Sequence, residues 1–311
     1  MTEKNKQEEV LMDDATTVFF FRELEHVRKK SYDVKKVPLH ARQVFPLDFE
    51  VNEGATSVTY HQFDTFGQAK VIANYADDLD VSDVAGKEFT SNVKSLGTSF
   101  GYSFSDVRKA KMTNRPLNQM KATAARRTIA ELENRVAFFG DEDSNLQGLL
   151  DNPNIPRLAA GANTSGETQW ENKTPDEVLA DMNTCFNTPN NLTKGTEKAL
   201  DVAISNERYN YISSTYADTD NKVTILEAFK KAHQEIRNIY AVSELDEAGY
   251  NDTGVMIAYN KSPLHLQMVI PMEFIIHAPQ QRNLGYKVPC EESFGGVVVY
   301  YPFSVAIMEG I

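Results

Sequence analysis

Residues 95–104 alternate strictly between two kinds of side chain. Leu96, Thr98, Phe100, Tyr102 and Phe104 fall on one side, and Ser95, Gly97, Ser99, Gly101 and Ser103 on the other. A period of two over ten residues predicts a β-strand with one apolar face. The opposite face is small enough for another surface to approach closely. Upstream, Val58 to Ile72 is rich in Thr, Val, Tyr and Phe, as strands prefer. A polar connection from Asn74 to Gly86 carries Asp77, Asp78, Asp80 and Asp83. Together, residues 56–104 read as a long two-stranded excursion. An isolated two-stranded ribbon is marginal in water and needs a partner surface.

The segment before the ribbon is loose in texture. Residues 1–15 are polar and charged, as expected of a tail. Thr16 and Thr17 offer N-cap oxygens to a helix over 18–30, with Phe20, Leu24 and Val27 at helical spacing and Arg28-Lys29-Lys30 at its C-terminus. Residues 31–55 carry Pro38, Pro46 and Gly54 without a strong period and read as an extended arm.

After Pro116 the period changes. Leu117, Ala125, Ile129, Leu132, Val136 and Phe139 mark the apolar side of a long helix that Gly140 stops. At 1.5 Å per residue, 117–139 spans about 34 Å. Arg127–Glu131 and Glu131–Arg135 are i,i+4 pairs on its other flank. Residues 105–140 hold eight Lys or Arg and three Asp or Glu. This excess is a solvated helix face, or a surface turned toward nucleic acid.

Residues 141–173 read as loop. Thr174-Pro175-Asp176-Glu177 supplies an N-cap, a proline at the first helical position and a capping-box glutamate. Val178, Leu179, Met182, Cys185 and Phe186 form the buried stripe that follows, which makes Cys185 a core residue. A strand over 199–204 and helices over 205–216 and 224–236, the second capped by Thr224, predict a compact α/β lobe. Beyond it, strands are expected at 255–259, 264–269, 274–278, 285–288, 296–301 and 304–308.

Composition excludes several classes. The chain has 311 residues and a net charge of −12, which disfavours whole-surface binding to nucleic acid or anionic membrane. The early apolar run Val18 to Phe21 is far short of a secretory h-region, and no stretch approaches a membrane span. The two cysteines, Cys185 and Cys290, imply no disulfide framework, and the chain reads as intracellular in origin.

Catalytic and metal motifs are weak. Gly97-Thr98-Ser99-Phe100-Gly101 fits G-x-S-x-G, but a nucleophile elbow needs a strained turn at the serine, and the alternation runs straight through Ser99. Asp141-Glu142-Asp143-Ser144-Asn145 opens like a calcium loop, yet Leu146 and Asn152 stand where Gly and Glu are required. His26, His40, His61, His233, His265 and His277 have no metal-ligand spacing. No catalytic residue, cofactor or metal is therefore assigned. A Ser99-dependent hydrolase is the rival from another class.

The order of elements is that of the tailed-phage major capsid proteins of the Hong Kong-97-like type, an α+β fold that encapsulins share. Local sequence resembles the phage and prophage major capsid family, once filed as a domain of unknown function. The matching stretches are Phe21-Arg22-Glu23-Leu24-Glu25-His26-Val27, Gly54-Ala55-Thr56-Ser57-Val58-Thr59-Tyr60 and Ile72-Ala73-Asn74-Tyr75-Ala76-Asp77-Asp78-Leu79. Further matches are Ala124-Ala125-Arg126-Arg127, Phe139-Gly140-Asp141, Gly148-Leu149-Leu150-Asp151-Asn152-Pro153 and Ile270-Pro271-Met272-Glu273-Phe274. Val288-Pro289-Cys290-Glu291, Gly295-Gly296-Val297-Val298-Val299 and Glu309-Gly310-Ile311 complete them.

The resemblance implies a non-enzymatic coat protein. Its subunits form hexamers and pentamers of an icosahedral shell around double-stranded DNA, assembled in the host bacterial cytoplasm and found in the virion. The alternative is an encapsulin-like nanocompartment shell around an enzyme cargo. By position, the resemblance makes 1–50 an N-terminal arm, 51–104 an extended β loop, 105–155 and 256–311 a peripheral domain with spine helix 117–139, and 156–255 an axial domain. Some relatives carry a long N-terminal scaffolding segment. About fifty residues precede the loop here, so a separate scaffold protein is expected, beside a portal and decoration proteins. Some relatives also crosslink a loop lysine. Lys70, Lys87 and Lys94 lie in the loop, and no crosslink is assigned. Arg108, Lys109, Lys111, Arg126 and Arg127 are the candidate DNA-facing residues.

Overall fold

The computed structural model describes residues 35–66, 83–113, 117–218 and 220–311. The chain divides into two compact units, Met1–Pro38 and Leu39–Ile311. Of the first, residues 35–38 are described and have no regular structure. The helix expected over 18–30 lies outside the described residues.

The second unit begins where an extended arm is expected, but its first residues are bolted down. A one-turn helix α1 (Ala41–Val44) and a short strand β1 (Leu47–Asp48) follow one another, with Ala41, Val44 and Phe45 buried. Apolar side chains at this spacing are held by the core rather than by local propensity. β1 pairs in parallel with β11 (Leu266–Val269), whose other edge takes β15 (Val297–Val299).

The ribbon consists of β2 (Ser57–Phe66) and β3 (Asp83–Asn92), antiparallel over ten residue pairs from Ser57–Asn92 to Phe66–Asp83. Residues 67–82, including the end of the strand expected to reach Ile72, lie outside the described residues. The expectation of one excursion over 56–104 is corrected here. β4 (Lys94–Ser103) leaves the ribbon and pairs along its whole length with β14 (Gly285–Phe294). The far edge of β14 takes β12 (Met272–Ile276) and β13 (Gln280–Arg282). The physical reason is burial. An aromatic row needs a second layer, and only the body of the unit supplies one.

That layer is α3 (Leu117–Phe139), which follows α2 (Phe104–Thr113). Ala125, Ile129 and Val136 of α3 are buried in one core with Leu96 and Phe294, and Phe100 packs against it. The expected stripe fails at its end: Phe139 is 43% exposed and Phe138 fully buried. A stripe stepping by four and three has a 3.5-residue period, and a 3.6-residue helix drifts off it by about 20° per heptad. By the last turn the buried side is Ala137 and Phe138, whose ring lies 5.2 Å from that of Phe45. Gly140 ends the helix at φ +71°, where a Cβ would also meet the Leu146 carbonyl at 2.9 Å.

A five-stranded mixed sheet separates this core from a second one. Its order is β5 (Arg157–Ala159), β16 (Ala306–Glu309), β10 (Val255–Tyr259), β6 (Asp201–Ser205) and β9 (Asn238–Val242). All residues of β6 and β10 are buried. Ala203, Ile257, Tyr259 and Ile307 face the first core, whereas Val202, Ile204, Met256, Ala258 and Met308 face the second. The second core is closed by α4 (Pro175–Leu192), α5 (Asn206–Ser214) and α6 (Ile225–Ala232). A small pair, β7 (Tyr216–Asp218) with β8 (Val223–Thr224), precedes α6. The capping box before α4 forms as expected: the Thr174 hydroxyl accepts from the Glu177 amide, and the Glu177 carboxylate accepts from the Thr174 amide. β5, β9 and β13 are strands that the sequence pattern does not mark.

Candidate functional site

Side chains alternate across the ribbon, so its two faces differ. At its root, Tyr60 and Phe89 stack with ring centroids 5.3 Å apart, and Tyr300 of the body meets Tyr60 edge-on at 4.8 Å. The Tyr60 hydroxyl donates to the Val299 carbonyl at 3.4 Å, and the Ser91 hydroxyl to the Gly295 carbonyl at 3.3 Å. Burial raises both the Tyr60 and Tyr300 phenols above their ordinary range. A cavity of about 640 Å³ opens beside this clamp, with Lys87, Glu197, Tyr301 and Phe303 in its wall. Beyond the root, residues 61–64 and 83–88 are exposed. Phe63 is 69% exposed and lies across Gly86, where a Cβ would stand 3.0 Å from its ring.

The small face of β4 is also open. Gly97, Ser99 and Gly101 are exposed and stand opposite Glu291, Pro289 and Lys287 of β14. His277 is hydrogen-bonded to Glu291 at 3.1 Å, and with Gly97, Ser99, Arg282, Lys287, Pro289 and Glu291 it walls a shallow groove of about 930 Å³. Ser99 sits in mid-strand opposite Pro289. The strand does not turn there, so the strained elbow that activates a serine nucleophile is absent.

The candidate basic residues are dispersed. Arg108 donates from Nε to the Phe104 carbonyl at 3.3 Å. The side chains of Lys109 and Lys111 lie outside the described residues. Arg126 stacks over the Phe274 ring at 5.2 Å, and Arg127 is paired with Glu131 at 2.8 Å. Lys121 ties α3 to β4 by donating to the Gly101 carbonyl. On α3, Arg127 is about 100° round from Arg126 and the exposed Arg135 about half a turn, so the three do not form one face.

The densest polar site is elsewhere, at α1. Asn134 of α3 caps α1 from outside: its Oδ1 accepts from the His40 and Ala41 amides at 3.0 and 2.9 Å. Its Nδ2 donates to Glu244, whose other oxygen meets His40 Nδ1 at 2.7 Å. Next to it, Glu133 receives a two-pronged hydrogen bond from Arg42, both prongs 2.8 Å. Arg42 also reaches Glu292 at 3.1 Å and Glu273 at 3.3 Å. Glu133 and Glu292 are each 2% exposed. Burial first, then the hydrogen bond and charge of Glu133, push the Glu292 carboxyl up to about 8, against the opposing pull of Arg42.

Among the described residues, no group of three or more His, Cys, Asp or Glu is placed to hold a metal, and no helix is long and apolar enough to cross a membrane. Asp141–Asn145 form a tight turn closed by paired Asp141–Leu146 backbone bonds of 2.8 and 3.0 Å. Cys185 and Cys290 are buried, and burial pushes the Cys185 thiol up to about 12.

Sequence reasoning misses Arg42, Glu133 and Glu292, which no short motif joins. A signal exists: Glu133 lies four residues after Ile129 and three before Val136, on the buried side of α3.

Residues 67–311 match the family described as Major capsid protein. No curated protein matches the sequence significantly. Among solved structures, the capsid of Myoviridae phage XM1 is similar at a TM-score of 0.81 and 18% identity, over 95% of this chain and 100% of that one. The capsid of an empty GTA particle is similar at 0.64 and 12%, over 91% and 94% of the two chains. A virus-like particle from Pyrococcus furiosus is similar at 0.54 and 14%, over 86% and 91%. At these identities the structural likeness shows a shared fold.

Proposed function

The chain belongs to the major capsid protein family, and from that premise we propose that it closes, as hexamers and pentamers, into the icosahedral head of a tailed double-stranded DNA bacteriophage. Its role is structural, and we assign it no catalysis. The encapsulin-like alternative is not favoured, because the family matched is a capsid family and phage capsids share its fold. We assign 1–50 to the arm, 51–104 to the extended loop, 105–155 and 256–311 to the peripheral domain and 156–255 to the axial domain. In this scheme β4 is the returning limb of the loop, fused to the peripheral sheet through β14. The virion component meets packaged DNA on its inner surface, through Arg126 and Arg127 of α3 and the adjoining Arg108, Lys109 and Lys111. A portal, a separate scaffold and decoration proteins complete the particle, which assembles in the host bacterial cytoplasm.

The observation that carries this reading is the ribbon. Six of its ten residue pairs, His61–Glu88 to Phe66–Asp83, project beyond a single aromatic root, and residues 61–64 and 83–88 there are exposed. Two strands alone do not hold such a structure in water; a second surface does. The groove on the small face of β4 and β14 suits that surface. The ribbon and the β4–β14 pairing that carries the groove are each ten residue pairs long, about 33 Å. Residues 57–92 carry six acidic residues against Lys70 and Lys87, while Arg282 and Lys287 border the groove. We therefore place the ribbon of one copy on this sheet face of the next.

The test uses Ser99→Trp, which fills the groove, and Phe63→Asp with Val84→Asp, which charges the ribbon. Neither touches a buried core residue, so both proteins should fold with wild-type circular dichroism and sediment as unassembled subunits or capsomers. Wild-type yields of shells from both would refute the docking.

A further inference from the structure

The cavity of about 640 Å³ beside the ribbon root has walls from two parts of the molecule. Tyr60 and Gln62 of β2 and Lys87 and Phe89 of β3 form the ribbon wall. Gln147, Asn152, Glu197 and residues 298–303 form the body wall. The volume is that of a site for a small organic molecule. At the root the two walls are joined by the Tyr60–Tyr300 ring contact and by hydrogen bonds of 3.4 and 3.3 Å. Each bond is longer than the roughly 2.8 Å usual for a hydroxyl donor. A molecule that touches both walls therefore adds to what fixes the angle of the ribbon.

Five aromatic side chains line the cavity, Tyr60, Phe89, Tyr300, Tyr301 and Phe303. Phe303 and Tyr301 are 57% and 45% exposed, so packing within the body does not use up their faces. The polar lining is rich in carboxamides, from Gln62, Gln147, Asn152 and Asn154. Asn152 is 5% exposed, and its Oδ1 accepts from the Asn154 amide at 3.0 Å. Its Nδ2 has no partner among the described residues and is not sealed in, so this donor opens on the cavity. Glu197 is held through one oxygen by His265 at 2.7 Å, which leaves its other oxygen for a ligand. Lys87, whose Nζ lies 4.9 Å over the Phe89 ring, is the one cation among the lining residues.

This lining selects by chemistry. It holds one acid and one base, so a phosphate or carboxylate attracted by Lys87 is repelled by Glu197. A hydrocarbon leaves the Asn152 donor and the other carboxamides without partners. A saccharide meets both demands. Its C–H faces are slightly positive and suit the negative faces of aromatic rings. Its hydroxyls both donate and accept, as carboxamides do. We propose that the cavity binds a neutral saccharide, and that the bound sugar ties the ribbon root to the body by touching both walls. The site goes beyond the shell role and does not rest on it.

Calorimetry and hydrogen exchange of the purified full-length chain test this with maltotriose and chitotriose, two neutral sugars. At least one should bind saturably, one molecule per subunit. It should slow exchange in peptides from both walls, 57–62 and 298–303, while peptides from α5 stay constant. Phe303→Ala takes a ring from the body wall, and Gln62→Ala a carboxamide from the ribbon wall. Both residues are exposed, so circular dichroism should be unchanged. Each variant should bind at least about tenfold more weakly. Inorganic phosphate should not displace the sugar. The proposal is overturned if neither sugar binds saturably up to about 10 mM, or if either variant keeps the wild-type affinity. Protection confined to one wall, or displacement by phosphate, overturns it as well.

Discussion

Asp181 joins three segments of the second core. Its carboxylate accepts from Trp170 Nε1 at 3.1 Å, from the Gly161 amide at 3.0 Å and from the ammonium of Lys173, whose side chain is almost wholly buried. Asp181→Asn keeps the shape and strands that cation, so we expect a loss of about 3–5 kcal/mol in urea denaturation. A loss below about 1 kcal/mol would show that water or rearrangement compensates the lysine. Asp181 also bears on what a sequence discloses. Val178, Met182, Cys185 and Phe186 are read correctly as a buried stripe, and Asp181 lies within it, three residues after Val178 and four before Cys185. Glu133 interrupts the stripe of α3 in the same way, and Glu292 the inward row of β14. A charged residue on an apolar period is legible as an anomaly. Its partner is not, because Arg42 is 91 residues from Glu133 and 250 from Glu292.

Elements specified locally are read well. The β4 alternation and the Thr174 capping box are both written within a few residues, and both form as expected. Elements made by distant pairing are not. β5 is three residues long and exists because residues 157–159 pair with 307–309. The end of α3 is misread because drift against its neighbours, rather than spacing, decides which phenylalanine is buried. Arg126 and Arg127 of α3 carry the proposed DNA-facing assignment. Arg126→Glu with Arg127→Glu removes one ring contact and one exposed ion pair, so the fold should persist. Packaged DNA per particle should fall in this variant, measured by the nucleic-acid absorbance of purified heads. Unchanged DNA content would remove α3 from the inner surface.

At the scale of the molecule, the five-stranded sheet is a wall shared by two cores, and it takes strands from both sides of the division at residue 255. Residues 156–255 and 256–311 therefore share one sheet, which leaves the ribbon as the part that needs a neighbour. Sequence discloses that need through composition and the length of the strands. It does not disclose which strand belongs to the ribbon and which to the body, because the strand that β4 pairs with, β14, is distant in the chain. The net charge of −12 adds mutual repulsion between copies, so contacts that hold a shell together must outweigh it. Negative-stain electron microscopy of the purified wild-type chain tests the central claim most directly. The account predicts closed shells, or rings of five and six subunits in which each ribbon overlies the next copy. A population of compact single subunits, with the ribbon lying on its own body, would contradict it.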